Sequence, residues 1–524
     1  MANTKLTPLS EYLITQFDKK TNISQVSTIS VDPVVSEVAT FYERIRTSMD
    51  LREEDVILRA AIERIIKRRL LLGGNSRTIA EPLVRELIWA RYFPDSTVPE
   101  SIIEKVEKTI DLYFKLQEKV FKLHRVNRSR IGTWIMQLMS SEIEDILSPS
   151  KDKELISNYI FQTYKNQVEI TDDSEETKDA QVFIAIRRTY DKEDQALLRY
   201  HLFLQLFDHL TEKNFDYLAE NFMKGTKKID AQLDYPIRDK IYTYIKKRTI
   251  PFFILEDILK KNRGNNKELV TDEAAFRKEV LESSERKYEN IKQKVGRAVL
   301  RGVIFILLTK TVFALGVEGS IESMLYGNVV WSSIAINTLF PPVLMIISGL
   351  MIKTPGRENS IKIYERISDI LYKKTDEFDK KLAIKKSSSK GDPFLNLVFA
   401  LLWILALLLG VWGINYALDI LRLNLISKSV FIFFLTIVLF ITYRVNQTAH
   451  TYTMADEKKN FRGLLFDFFF MPFIHVGRDL TENISKINIL LFLFDLLIET
   501  PFKTIFAFFE QWFLYLRSQR EKLG

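Results

Sequence analysis

There is no cysteine among the 524 residues. Its absence excludes disulfides, a thiol nucleophile, Cys-ligated zinc and iron–sulfur clusters. No part of the fold can then depend on an oxidising compartment. Histidine is scarce as well, at His124, His201, His209, His450 and His475. No His-Glu-x-x-His pattern occurs, which removes the zincin arrangement of two imidazoles one helical turn apart. The opening Met1-Ala2-Asn3-Thr4-Lys5 lacks the apolar run of a cleavable signal peptide. Ala2 stands where N-myristoylation requires glycine. With no catalytic, cofactor or metal signature anywhere, no catalytic, cofactor-binding or metal-ligating residue is expected, and an enzyme is the less favoured reading.

What is present is a strong asymmetry. Up to about Lys294 the chain is charged and ordinary for a globular protein; beyond it, apolar runs alternate with short basic connectors. The expected fold is all-α, a soluble multi-helix N-terminal domain followed by a polytopic α-helical membrane domain. The boundaries fall at 1–290 for a cytoplasmic helical domain, 291–352 for spans 1 and 2, and 353–392 for a basic cytoplasmic connector. Spans 3 and 4 occupy 393–445, and 446–524 forms C-terminal interfacial or membrane-embedded amphipathic helices. The net charge of +8 reads as lysine and arginine collecting in cytoplasmic connectors, so no nucleic acid is expected.

In the first domain apolar residues recur at three- and four-residue spacing. Val56, Leu58, Ala61, Ile62, Ile65, Ile66 and Leu70 make one stripe, with Arg59, Glu63, Arg64, Lys67 and Arg68 on the other faces, which is an amphipathic helix. Gly73-Gly74 supplies its stop, and Asn75 or Ser76 caps a second helix running to about Phe93. Thr97-Val98-Pro99-Glu100 reads as a capping box ahead of a long helix to Lys122. Val182–Tyr190 has the β-branched and aromatic content of a strand, but is too isolated to define a sheet. The cluster Arg64, Lys67, Arg68 and Arg69 reads as the solvated face of a helix. His201 and His209, flanking Asp208, read as packed residues of one helix rather than a metal site.

Four segments are long enough for a hydrocarbon core that takes about 20 helical residues. They are Ala298–Val317, Val329–Ile352 with Pro341-Pro342 expected to break it, Phe394–Leu418, and about Val430–Tyr443, starting nearer Leu423 if Lys428 snorkels. The connector Glu318–Asn328 holds no lysine or arginine, while the connector after span 2 is crowded with lysines. By the positive-inside rule both termini are then cytoplasmic. Within that basic connector Ile363, Ile367, Ile370, Leu371, Phe378 and Leu382 form an apolar stripe. It suits either anionic lipid headgroups or the N-terminal helices. Leu464–Val476 is too short to span comfortably. Ile487–Leu516 carries Asp495, Glu499 and Lys503 at successive i,i+4 steps, and should lie in the interface, line a cleft, or form a hairpin of spans.

Ionisable groups at membrane depth are costly, about 2.5–3.5 kcal/mol each on insertion scales, which marks them as candidates for function. Lys310 leads, with Asn337, Asp467, Asp495, Glu499 and Lys503 as the other intramembrane polar candidates. The favoured function is a membrane-anchored cytoplasmic helical interaction or scaffold module. Its partners are the bilayer, anionic headgroups among them, and a cytoplasmic protein or a second copy. The alternative is a channel or transporter with a polar path around Lys310 and the C-terminal charged stripe.

Overall fold

The computed structural model describes residues 5–486 apart from 20–26, 32, 34, 35, 38, 41, 42, 44–56, 125–126, 328–330, 390–392, 422 and 455–460. Beyond 486 it describes Phe508, Phe509, Trp512, Tyr515, Leu516 and Gln519. Asp495, Glu499 and Lys503 lie outside the described residues.

The described chain is almost entirely helical. In order it forms α1 (Pro8–Asp18), α2 (Ile57–Leu71), α3 (Ser76–Trp89), α4 (Ser101–Leu123), α5 (Arg128–Leu147), α6 (Lys151–Tyr164), β1 (Val168–Ile170) and α7 (Glu175–Ile186). Then come α8 (Gln195–Phe207), α9 (Phe215–Leu233), α10 (Arg238–Lys261), α11 (Glu273–Phe313), α12 (Gly319–Tyr326), α13 (Trp331–Met351) and α14 (Arg357–Tyr372). After β2 (Leu382–Ile384), three long helices close the described chain: α15 (Pro393–Ile420), α16 (Leu425–Ala449) and α17 (Phe461–Lys486). Contacts divide it into two compact units. One holds Met1–Thr249, Tyr372–Lys386 and Ile489–Gly524; the other holds Ile250–Leu371 and Ser387–Asn488.

In the first unit the sequence stripes become the core. Ala61, Ile62, Ile65 and Ile66 of α2 are buried, as are Val106, Ile110, Tyr113, Leu116 and Val120 of α4, spaced to line one helical face. They pack with α3, α5, α8 and α9 around Leu83, Leu138, Phe203 and Phe222. Asn75 caps α3 in a reciprocal capping box with Thr78. The expected box at Thr97 does not form: its hydroxyl donates to Pro94 O (2.7 Å), and Glu100 caps α4 without a side-chain bond. Val182–Tyr190 is helix rather than strand, the end of α7 and a π turn, Arg187–Asp191. Among the described residues a two-stranded sheet pairs β1 with β2 in parallel, Val168 opposite Leu382 and Ile170 opposite Ile384. The end of the basic connector is thus stitched into this unit. Arg248 clasps Asp379 with Nε and Nη2 (2.8 and 2.5 Å), and Tyr244 donates to Lys380 O (2.7 Å).

The second unit differs from the sequence reading at several joints. The charged stretch before span 1 and the apolar stretch after it are one continuous 41-residue helix, α11, about 60 Å long at 1.5 Å per residue. A π turn, Ala314–Glu318, follows directly. Pro341 and Pro342 do not break α13, which runs unbroken from Trp331 to Met351. The stripe Ile363, Ile367, Ile370 and Leu371 of α14 is buried in protein. Asn359 at its start donates to Tyr288 Oη of α11 (2.7 Å), and Tyr364 meets the ring of Phe276. Leu382, read as part of that stripe, is in β2 instead. Lys428 pairs with the exposed carboxylate of Asp419 at the end of α15. Leu464–Val476 belongs to the 26-residue α17, which lies against α15 and α16.

Among the described residues, three helices are long and apolar enough to cross a membrane: Ile334–Met351, Phe394–Ile420 and Leu425–Ala449. The expected span Ala298–Val317 is not among them: the last 18 residues of α11 carry Arg297, Arg301 and Lys310, and a π turn follows at Ala314. Close approach sets the packing of this group. A Cβ on Gly477 of α17 would lie 2.1 Å from Thr436 O of α16, and one on Gly349 of α13 would lie 2.7 Å from Val299 of α11. Only glycine fits there.

Candidate functional site

Lys310 lies in the apolar last turns of α11, fully buried. Eight residues on, an unbroken α-helix would carry the side chain about 80° round the axis. The wider π turn takes up that difference, and the Glu318 carboxylate returns to face the lysine, Oε2 3.6 Å from Nζ. The ammonium also sits 4.6 Å from the centroid of the Phe434 ring, where the ring face favours a cation.

Two further helices converge on the same carboxylate. Asn337 of α13 donates through Nδ2 to Glu318 Oε1 (2.6 Å) and to Ser427 O (2.9 Å). Ser427 donates its hydroxyl to the same Oε1 (2.7 Å). Its backbone N–H is already taken by the Asn424 side chain that caps α16, leaving the hydroxyl for Glu318. Lys310, Glu318, Asn337 and Ser427 all have zero exposure. A buried charge is tolerable only when paired and hydrogen-bonded, and here each charge has its counter-group. Lys310 Nζ, Glu318 Oε2 and Asn337 Oδ1 nevertheless lack a hydrogen-bond partner among the described residues.

Of the residues singled out from the sequence, the fold brings Lys310 and Asn337 together. Asp467 is half-buried on α17 and takes no part in that cluster. Sequence reasoning missed Glu318 and Ser427, which lie in stretches read as connectors. The available signal was a carboxylate closing the apolar run that Lys310 interrupts.

A second buried polar group, in the first unit, was not legible at all. It gathers around the π turn, where Lys192 adopts a left-handed φ of 56°. Arg187 Nη1 faces Asp191 Oδ2 (3.3 Å) and Glu193 Oε1 (3.2 Å). Ser157 donates to Asp191 Oδ2 (2.7 Å), and His201 Nε2 is 3.0 Å from Glu193 Oε1. Arg59 bridges Glu63 (2.6 Å) and Asp194 (2.7 Å). Burial pushes the Asp191 carboxyl up to about 7 against the pull of Arg187, and Glu193 adds to the rise. Burial likewise raises Glu144 to about 7. Asp191 Oδ1, Glu193 Oε2 and Glu144 Oε2 have no hydrogen-bond partner among the described residues. The groups come from α2, α5, α6, α8 and the turn, so no local spacing announces them.

The two histidines read as one helical pair are separated, since α8 ends at Phe207. His201 faces Glu193, and His209 Nδ1 faces Glu142 at 3.7 Å. The basic cluster of α2 is not a solvated face. Arg64 bonds Glu43, Lys67 bonds Glu63, and Arg68 and Arg69 share Glu86.

No family model matches the chain, and neither the curated proteins nor the solved structures contain a match to it.

Proposed function

We propose that this is a multi-pass membrane protein whose apolar helices, joined by the Ala298–Phe313 end of α11 as a further crossing, anchor a helical interaction module facing the cytoplasm, with both termini on that side. The observation that carries the membrane part is α15. In its apolar stretch Phe394–Ile420 only 6% is buried, and Phe394, Leu397, Phe399, Leu401, Leu408 and Trp412 are all more than half exposed. A bare apolar surface of that length is stable in lipid and not in water, and a helix satisfies its own backbone there. The pairing of Lys310 with Glu318 fits an anchor, because the charge that most suggested a transport path has a structural counter-ion. The interaction role rests on a helical unit without a catalytic signature, whose partner is a cytoplasmic protein or a second copy.

Alkaline carbonate washing of membranes from cells expressing the full chain tests the anchor: the protein stays in the pellet, and release to the supernatant refutes it. Photo-cross-linking from the exposed faces of α4 and α9 in those membranes tests the interaction module. A discrete adduct supports it; its absence from every position removes it.

One observation favours a second reading, a channel or transporter. Three buried polar atoms of the cluster, Lys310 Nζ, Glu318 Oε2 and Asn337 Oδ1, lack a hydrogen-bond partner among the described residues. Flux through liposomes carrying the full chain decides it, because Lys310→Ala changes a flux that passes this cluster.

A further inference from the structure

Helix α15 is longer than a bilayer core. Its 28 residues extend about 42 Å at 1.5 Å per residue, against a hydrocarbon thickness of about 30 Å. Holding all of it in hydrocarbon takes a tilt of about 45°, beyond the tilts of up to about 40° that spanning helices adopt. Part of α15 therefore leaves the core, and its polar residues mark which part. From Leu397 to Val411 the helix has neither a charge nor a side-chain amide; Asn415 and Asp419 follow, beyond Trp412.

The end of α15 and the start of α13 lie at the same end of their unit. Asn337, six residues into α13, donates to Ser427 O in the first turn of α16 (2.9 Å). Asp419 pairs with Lys428, one residue further along α16. Three outward aromatic side chains stand at this end. Trp331, the first residue of α13, is 66% exposed. Trp412 and Tyr416, 69% and 63% exposed, stack one helical turn apart with centroids 6.1 Å apart.

Two helices of opposite direction measure the same thickness from these rings. Trp331 stands about 30 Å from Met351 along α13, and Trp412 about 27 Å from Phe394 along α15. Lys353 follows the first stretch and Lys390 precedes the second. Tryptophan and tyrosine suit such a boundary, because the ring reaches the acyl chains while its N–H or O–H stays with carbonyls and water.

We infer that Trp331, Trp412 and Tyr416 form a girdle seated in the phospholipid headgroup layer, and that the last two turns of α15 stand outside the hydrocarbon. The girdle presupposes the membrane anchor and adds which residues bound the bilayer.

The cysteine-free full chain takes one nitroxide at a time, at Val343→Cys, Ile404→Cys or Ile420→Cys, each exposed in the parent. In palmitoyl-oleoyl phosphatidylcholine vesicles, spin relaxation is read with oxygen, which concentrates in hydrocarbon, and with a nickel chelate, which stays in water. The expected result is oxygen over nickel at 343 and 404, and the reverse at 420. Trp412→Leu with Tyr416→Leu prolongs the apolar stretch and shifts 420 towards oxygen, whereas Phe399→Leu, mid-helix, leaves 420 unchanged. Shielding of 420 from nickel in the parent overturns the girdle, and so does an unmoved 420 in the double variant. Nickel reaching 343, 404 and 420 alike removes the membrane anchor itself and the girdle with it.

Discussion

Asn337 Nδ2 donates to Glu318 Oε1 across 2.6 Å, and through that one carboxylate α13 is tied to the lysine of α11 and the serine of α16. We read this as a structural clamp. Lys310→Met and Glu318→Gln should each destabilise the detergent-solubilised protein by about 3–5 kcal/mol, since each strands a buried charge. The double variant should recover most of that loss. Thermal unfolding of the four proteins gives the coupling directly, and strictly additive losses contradict the clamp.

The Arg248–Asp379 clasp holds the connector to the first unit, helped by Arg248 lying 3.5 Å over the Tyr244 ring. Asp379→Ala leaves a half-buried guanidinium without its bidentate partner, and trypsin should then cut after Lys380, Lys381 and Lys385 much faster than in the parent. Unchanged cleavage means that β1–β2 pairing and the Tyr244–Lys380 bond secure the segment without the clasp.

Acid–base behaviour in the first unit has a defined sign. Glu144 and Asp191 rise from ordinary values of 4.5 and 3.8 to about 7, so between those limits the folded protein holds more protons than the unfolded chain. Stability is therefore highest below about pH 4 as far as these two groups are concerned, and falls as pH climbs to about 7. Glu144→Gln should flatten this slope by up to about 1.4 kcal/mol per pH unit and raise stability above pH 7. Denaturant unfolding at a series of pH values reads it, and an unchanged slope shows that Glu144 ionises normally.

Gly477 has no room for a methyl against Thr436 O, whereas Gly413 of α15 has nothing within 4 Å of an added Cβ. Gly477→Ala should lower stability in detergent by about 1–3 kcal/mol or more, as overpacking does. Gly413→Ala should leave it unchanged. Equal effects of the two substitutions overturn the packing of α17 on α16.

The amphipathic helices of the first unit were legible because core-facing residues such as Ile62, Ile65 and Ile66 repeat at helical spacing. The Asn75 cap and the Gly73 turn were legible because few residues suit those backbone sites. Lys310 and Asn337 stood out as polar groups in apolar runs. Glu318 did not, because a π turn changes which residues share a face and nothing in the sequence marks one. The same holds for Asp191, whose neighbours come from distant helices. Pro341-Pro342 misled for a related reason: a proline costs a helix one hydrogen bond and some bending, and α13 accommodates both. The arginines of α2 looked solvated because Glu43 and Glu86 are far away in sequence.

The central claim, apolar helices placing a helical module on the cytoplasmic side, is tested most directly by impermeant maleimide labelling of single cysteines in the cysteine-free chain. Met324→Cys lies in the acidic connector after the first apolar stretch and is 86% exposed in the parent; Glu377→Cys lies in the basic connector. In intact cells 324 is labelled and 377 is not until the membrane is opened. Labelling at 377 in intact cells, or at both positions alike, would contradict it.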